Sequence, residues 1–598
     1  MQTDIQNIIN QSQNIMIDPD TIPTFELKPR TETRHNGVYF IDIQTDKQTG
    51  EIQEKTPIKI SDHLRVIGIG QDESKAAYIV IEYRNKFTHH IQTTAIKQAD
   101  IGTNKGWYDL QNMGVGVMSD RKSRERVANY LQFSGKQTQY QIRHTTGWKG
   151  ENYFFPSGEI ITPNDHERHK IIYMGDTSKA NEYHISGSLN DWQTHIAHYA
   201  IGNSRLMLAL GTAFAAPLLR GLNMENGGFH LFGDSRDGKS TAAYVGASVW
   251  GSRESKVSWN STALAIINSA CARNDCFMML DEIGEQRDTR IVAQAAYSLG
   301  NGQNKGQAHK DGGNRPTINF KTLFFSTGEK PLDTYIKNGN PELWNAGQAV
   351  RLASIPSDTG KGYQAYDTIH HFATAAEFGD HLNDSTAQFY GTAGQAWIIA
   401  LQSDPKHKQR IQAHMNAFLA KLPHDLNGQI RTVGKRFALV YAALELASEY
   451  GITGFQAGAS LAPLLQCFHA WLDRNGMEKS ETQQIIENAQ DFFDLHAFSH
   501  RFADLDLLGD FERAGEHHAG FKERHGDDWI YWVVYAAFKH EIAQRFEPRK
   551  AVDVLAAAKW LIMGSDKKHY GAHQKNRKHM GGRRYMQFNG STPPDRNE

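Results

Sequence analysis

Gly233-Asp-Ser-Arg-Asp-Gly-Lys-Ser240 matches G-x-x-x-x-G-K-S without a gap, between the apolar run Gly228–Phe232 and the helix-forming stretch Thr241–Ala247. Nothing else in the chain limits its fold so strongly. A strand must end where a glycine loop begins, and a helix must start where the loop ends. The glycines let backbone N–H groups turn inward around phosphate, and the new helix adds the positive end of its dipole. Lys239 then reaches the β- and γ-phosphates, and the Ser240 hydroxyl can ligate Mg²⁺. The expected cradle for ATP is Gly233, Asp234, Ser235, Arg236, Asp237, Gly238, Lys239, Ser240 and Thr241.

A second element supports the first. Cys276-Phe-Met-Met-Leu280 is an apolar strand ending in Asp281-Glu282. Downstream of a phosphate loop, the first carboxylate suits the Mg²⁺ shell and the second suits polarising the attacking water. The run Lys321-Thr-Leu-Phe-Phe325 predicts a third strand that ends in Ser326-Thr327. Either hydroxyl could hold the lytic water, the alternative being a turn cap. Arg351 in Gly347-Gln-Ala-Val-Arg-Leu is a candidate to meet γ-phosphate charge from a neighbouring subunit, the alternative being a snorkelling arginine. Arg431 and Arg436 in QIRTVGKRF could contact nucleotide from the other side, or could be plain surface residues.

Length matters next. With 598 residues the chain is too long for one core and should divide into several domains. Polar residues 1–32 read as a loose leader. Residues 33–190 hold short alternating runs, such as Leu64–Ile69 and Ala77–Tyr83, that predict an antiparallel β-rich domain with an inserted helix at Ser123–Gln132. Residues 191–371 alternate strand and helix, predicting an α/β ATPase core with a mostly parallel sheet, opened by a long helix over Trp192–Arg220. Residues 372–500 predict a helical lid, residues 501–590 a winged-helix-like domain, and residues 591–598 a disordered tail. The expected architecture is multidomain α/β.

Net charge is −1, so any nucleic-acid site must be a local patch. One candidate is Gln303–Phe320, a predicted hairpin carrying Lys305 and Lys310 that could grip phosphates in a pore, or could simply be solvated. The other is Lys567, Lys568, Lys575, Arg577, Lys578, Arg583 and Arg584, after expected helices at Trp529–Phe546 and Pro548–Leu561 and before the strand Arg584–Phe588. Helix, helix and basic hairpin suggest duplex-backbone contact by a wing, against the alternatives of a solvated loop or a subunit contact. Tyr39, Tyr83, Trp107 and Tyr108 in the β-rich region read as core aromatics. Cys271, Cys276 and Cys467 have no zinc spacing, and three cysteines suit a reducing cytoplasm. The apolar stretch Leu206–Leu219 is shorter than a membrane span and holds Gly211 and Pro217, so a buried helix is expected.

Taken together, Gly37-Val-Tyr, Thr146-Gly-Trp148, the phosphate loop, Leu280-Asp-Glu-Ile283, Phe325-Ser-Thr-Gly-Glu329, Gly347-Gln-x-x-Arg351-Leu and Ile355-Pro356 resemble a known bacterial family. It is a domain of unknown function otherwise labelled "superfamily II helicase and inactivated derivatives", found on phages, plasmids and chromosomal islands. Related cassette-chromosome replicative helicases have an AAA+ core near the mini-chromosome-maintenance clade. The resemblance covers roughly residues 35–450. It implies a ring-forming, hexameric AAA+ DNA helicase in which Arg351 acts across the subunit boundary, with single-stranded DNA in the pore and element-encoded replication proteins as partners. The segment Asn301–Lys310 departs from the family's more arginine-rich stretch. Two rival readings share the same loop: a regulatory or defence ATPase that does not unwind DNA, and a packaging or transposition ATPase.

Overall fold

The computed structural model describes residues 27–163, 170–304, 319–339, 350–423, 426, 428–475, 481–507, 518–526, 528–562, 572–573 and 584–592. The chain falls into two units, Met1–Trp471 and Leu472–Glu598.

In the first unit, the β-rich region begins with the strand Arg30–Arg34, inside the stretch expected to be leader. It pairs with Gly37–Ile41, which pairs with Ile58–Ser61. A five-stranded sheet follows, in the order Ile171–Tyr173, Gln139–Arg143, Leu64–Gln71, Ala77–Arg84, Ile91–Lys97. Alternate burial along Leu64–Gln71 is the period-2 signature of a strand with one face on a core. The purely antiparallel expectation needs correction, because Gln139–Arg143 runs parallel to both neighbours. Helix Arg121–Phe133 lies in the connection between Ile91–Lys97 and Gln139–Arg143, and Asp120 caps its start through the Ser123 N–H.

The expected long helix at Trp192–Arg220 is broken instead. Gly202 adopts φ +80 and the Asn203 side chain receives the Asp367 and Thr368 N–H groups, so the chain turns before α1 (Ser204–Ala215) begins. Asp367 then caps α1 through the Ser204 N–H and hydroxyl. Every residue of α1 is buried, and its one charged side chain, Arg205, donates to the Pro356 carbonyl, so α1 is a core helix. Among the described residues, no helix is long and apolar enough to cross a membrane.

The core sheet holds β1 (Gly227–Phe232), β2 (Val257–Ser258), β3 (Cys276–Asp281), β4 (Thr322–Gly328) and β5 (Leu352–Pro356). All pairings are parallel, in the order β2-β3-β4-β1-β5. Helices α2 (Lys239–Ala247), α3 (Ala263–Cys271), α4 (Thr289–Asn301) and α5 (Leu332–Gly339) connect them. The near-continuous burial of β1, β3 and β4 is what a sheet covered on both faces requires. Helices α6 (Ala375–Gln388), α7 (Thr392–Ser403), α8 (His407–Leu419), α9 (Gly428–Glu449) and α10 (Leu461–Asn475) follow.

The β-rich region docks on the core through Thr146-Gly-Trp148. Trp148 N–H donates to the buried Asp275 carboxylate at 3.0 Å, and the Trp148 indole donates to Pro217 O at 2.9 Å. Gly147 has φ +83, and a Cβ there would meet Asp275 Oδ2 at 2.5 Å. Burial pushes the Asp275 carboxyl up from its ordinary range, while the Arg220 guanidinium opposes that shift.

The second unit has α11 (Glu481–His496) and strands β6 (Phe502–Asp504), β7 (Gly520–His525), β8 (Asp528–Val534), β9 (Leu561–Ile562), β10 (Ala572–His573) and β11 (Arg584–Asn589). The order is β6-β7-β8-β11-β9, with β10 also on β11. Two expectations are corrected here. The helix at Trp529–Phe546 begins instead as strand β8, because its aromatic and β-branched run bonds to β7 on one side and β11 on the other. A short helical segment, Tyr535–Ala543, follows, and then α12 (Pro548–Ala557). Residues 481–496 were placed in the lid, yet α11 buries Ile485, Ala489, Phe492 and Phe493 against Tyr531, Trp560 and Phe588 of this unit.

Candidate nucleotide site

Parallel register brings the site residues to one edge. Phe232 pairs with Gly328 and with Pro356, and Leu280 pairs with Ser326. The phosphate loop, Asp281-Glu282, Thr327 and Ser357 therefore all leave the carboxyl ends of their strands together, where open α/β sheets place ligands.

The loop keeps its shape through two glycines. Gly238 adopts φ +92, and a Cβ on it would lie 2.8 Å from the Tyr366 hydroxyl. A Cβ on Gly233 would strike Ser357 Oγ and Asp237 Oδ2. Arg236 also has positive φ, a conformation that costs a side-chain-bearing residue energy. Lys239 is buried, and its Nζ donates to Gly233 O at 3.0 Å and to Asp237 Oδ1 at 2.8 Å. Asp237 in turn accepts from Ser357 Oγ, and Ala365 N–H donates to Asp237 O. The lysine, on the first turn of α2, is thus folded back across the loop onto its carbonyls and the Asp237 carboxylate. Ser240 lies on that turn and Thr241 is buried beside it. Asp234 and Ser235 complete the loop between Gly233 and Arg236.

Thr327 lies between the two carboxylate-bearing residues. Its Oγ1 donates to Asp281 Oδ1 at 3.0 Å and accepts the Glu282 N–H at 3.1 Å. Asp281 Oδ2 also accepts from Lys256 Nζ at 3.2 Å. Glu282 has φ +43, an outlier that turns its side chain off the strand line. Burial raises the Glu282 carboxyl above its ordinary range, against the Gly284 N–H and the Lys239 charge, which lower it. A carboxylate so raised is a better proton acceptor near neutral pH.

Ser326 alternates to the other face and does not meet the carboxylates. The Trp259 indole donates to its Oγ at 2.9 Å, and His230 Nδ1 lies 2.9 Å from that same oxygen. His230 Nε2 sits 3.0 Å from Lys330 O, so it carries the proton, and Ser326 donates to Nδ1. Sequence reasoning did not pick out His230, which reads as a core residue in an apolar run, or Trp259, which stands alone among polar residues with no motif around it.

Arg351 lies at the opposite edge. It directly precedes β5, and Gly228 of β1 pairs with Leu352. The six residues of β1 separate it from its own loop by roughly 20 Å. Its guanidinium stacks over Tyr297 at 5.2 Å. Arg436 is also at that edge, buried, with Nη1 donating to Val350 O, so it does not face the nucleotide loop as expected. Arg431 is exposed on α9. Lys305 and Lys310 lie outside the described residues, as do Lys567, Lys568, Lys575, Arg577, Lys578 and Arg583. At the root of the 303–319 segment, Gln303 bridges antiparallel to Asn319. Arg584 is described as part of β11, where it pairs with His573.

The residues fit a magnesium nucleotide. Ser240 and Asp281 offer the oxygen donors that suit a hard cation, and the buried Lys239 amine suits phosphate. Among the described residues there is no cluster of three or more histidine, cysteine or carboxylate groups that would hold a metal by itself.

A family model described as a domain of unknown function (DUF927) matches residues 25–319. No curated protein matches the sequence. Among solved structures, "SCCmec type IV Cch - active helicase" is similar with a TM-score of 0.65 and 16% identity, over 95% of this chain and 98% of that one. "The A form apo structure of NrS-1 C terminal region-CTR" matches with a TM-score of only 0.25 and 10% identity, over 66% of this chain and 88% of that one. At such identity the first likeness speaks for the fold, and the second carries no argument.

Proposed function

We propose that this chain is an ATP-driven DNA helicase or translocase of a mobile element, built as a ring-forming AAA+ motor. One observation carries the reading: β4 lies between the phosphate-loop strand and the carboxylate strand, so that Thr327 bonds Asp281 and Glu282 beside the loop. The fold likeness to a protein titled an active helicase supports it across nearly the whole chain.

In this reading Lys239 and the loop N–H groups bind the phosphates, and Ser240 and Asp281 hold Mg²⁺. The ion supplies charge neutralisation for the developing γ-phosphate charge. Glu282 takes the proton of the attacking water, and Thr327 holds the two carboxylates in register. Arg351 is too far from its own loop to serve it. Its position at the opposite sheet edge favours service to a neighbouring subunit's nucleotide, with hexameric closure as the simplest assembly. Arg431 is a lid candidate for the same nucleotide. Lys305 and Lys310 would grip single-stranded DNA in the pore, and the basic residues Lys567–Arg584 would meet duplex backbone. Element-encoded replication proteins are the natural partners, in the cytoplasm.

Steady-state ATP hydrolysis with and without single-stranded DNA tests this, comparing the native chain with Lys239→Ala. Several-fold stimulation by DNA, abolished in the variant, is expected, with strand displacement as the following assay. Hydrolysis indifferent to DNA would favour a nucleotide-switched regulator.

A further inference from the structure

Arg436 of α9 is only 4% exposed, and no carboxylate pairs with it among the described residues. A buried guanidinium is costly unless its donors are met, and an apolar residue of similar size often stabilises a core better. Here Nη1 donates to Val350 O at 2.7 Å, and Nη2 lies 3.5 Å from Asn226 O. Burial draws the pKa down to about 10, with Glu225 opposing and Arg351 adding to the fall, so the group stays cationic at neutral pH. The fit is close: a Cβ on Gly227, the first residue of β1, would lie 2.2 Å from Nη2.

The two carbonyls that Arg436 holds lead to different functional segments. Val350 is the neighbour of Arg351. Asn226 is buried, and its Nδ2 donates to Leu299 O at 3.1 Å and Phe320 O at 3.2 Å, spanning both roots of the 303–319 segment. Phe320 N–H donates to Gly302 O, which closes that root. Arg351 packs on the same turn of α4: a Cβ on Gly300 would lie 2.0 Å from Arg351 Cδ. Helix α9, Arg351, the start of the phosphate-loop strand and the root of the lysine-bearing segment thus meet at one cation and one amide.

We infer that Arg436 and Asn226 are positioning residues, which set the placement of Arg351 and of the two roots at Leu299–Gln303 and Asn319–Phe320 together through the Val350 and Asn226 carbonyls and the Asn226 side chain. This rests on the proposed function for its kinetic consequence, and on geometry alone for its structural one. A displacement of about 1 Å at a catalytic group can cost up to roughly a hundredfold in rate. The joint lies at the sheet edge remote from the phosphate loop, so nucleotide binding should not feel it.

The experiment compares the full chain with Arg436→Met, Arg436→Lys and Asn226→Ala. It measures kcat and KM for ATP with and without single-stranded DNA, affinity for a fluorescent ATP analogue, and amide hydrogen exchange. Arg436→Met should lower DNA-stimulated kcat about ten- to a hundredfold, with KM and analogue affinity unchanged. Exchange should rise in residues 300–320 and 350–352, and Arg436→Lys should recover part of both effects. Stimulated kcat within twofold of native, or analogue affinity falling in step with kcat, would overturn the inference. If the native chain hydrolyses no ATP, the proposed function has failed and exchange alone decides. Faster exchange confined to those two segments then supports the joint, and unchanged or chain-wide exchange refutes it. Should Arg436→Met fail to fold, Arg436→Lys and Asn226→Ala carry the same readouts.

Discussion

Replacing Thr327 with valine keeps the shape of the side chain and removes only its hydroxyl. Thr327 is fully buried, so no water replaces the lost group. Two hydrogen bonds go: one to the Asp281 carboxylate and one from the Glu282 N–H. A bond to a charged group contributes about 1.5–3 kcal/mol, and an orphaned donor costs about 1–3 kcal/mol. Asp281 keeps Lys256, which offsets part of the loss. A net penalty of about 2 kcal/mol at the carboxylate pair remains, or roughly 30-fold if it is all felt in the transition state. Single-turnover ATP hydrolysis with saturating nucleotide reads this directly. Thr327→Ser, which keeps the hydroxyl, should stay within a few-fold of native. Ser326→Ala should instead lower the melting temperature, because it orphans the Trp259 indole and His230 on the other face of β4. If Thr327→Val hydrolyses as fast as native, or if Ser326→Ala loses turnover while Thr327→Val does not, the assignment of the two faces is wrong.

Because burial raises the Glu282 carboxyl, the acid limb of the pH–rate profile should lie above the ordinary carboxylate range, and Glu282→Gln should abolish that limb along with turnover. Gly147→Ala forces a positive φ on alanine and a Cβ into Asp275, so thermal unfolding should show a loss of about 2 kcal/mol or more. The Tyr450 hydroxyl and Arg410 hold the Asp404 carboxyl down to about 2. Its contribution to stability is therefore present above the unfolded value near 4 and is lost as pH falls from about 4 to about 2. Tyr450→Phe should narrow that window, moving the acid-unfolding midpoint measured by circular dichroism to higher pH. Removing Mg²⁺ with a chelator should stop hydrolysis, while binding of a fluorescent ATP analogue weakens but persists.

The phosphate loop, its flanking strand and helix, and the strand ending in Asp281-Glu282 were legible in the sequence because each is a local pattern. An apolar run, a glycine turn and a helix-forming stretch specify one another over a few residues. The same holds for most of α9 and α10, which are long runs of helix-forming residues. Aromatic and β-branched density in Trp529–Val534 was outweighed by a helical reading, and only pairing with β7 and β11 decided for a strand. A break at Gly202-Asn203 depends on Asp367 and Thr368, distant in sequence, which donate to the Asn203 side chain.

Residue identity alone determined a strand, glycine loop and helix, and a later strand that ends in two carboxylates, since each pattern is encoded in adjacent residues. Which hydroxyl of Ser326-Thr327 faces the carboxylates depends on strand register, and a shift of one residue would exchange them. Where Arg351 and Arg436 point depends on which sheet edge their segments reach, set by the pairing of β5 with β1. Those contacts join residues far apart in the chain, and the packing that selects them exists only once the whole sheet has formed.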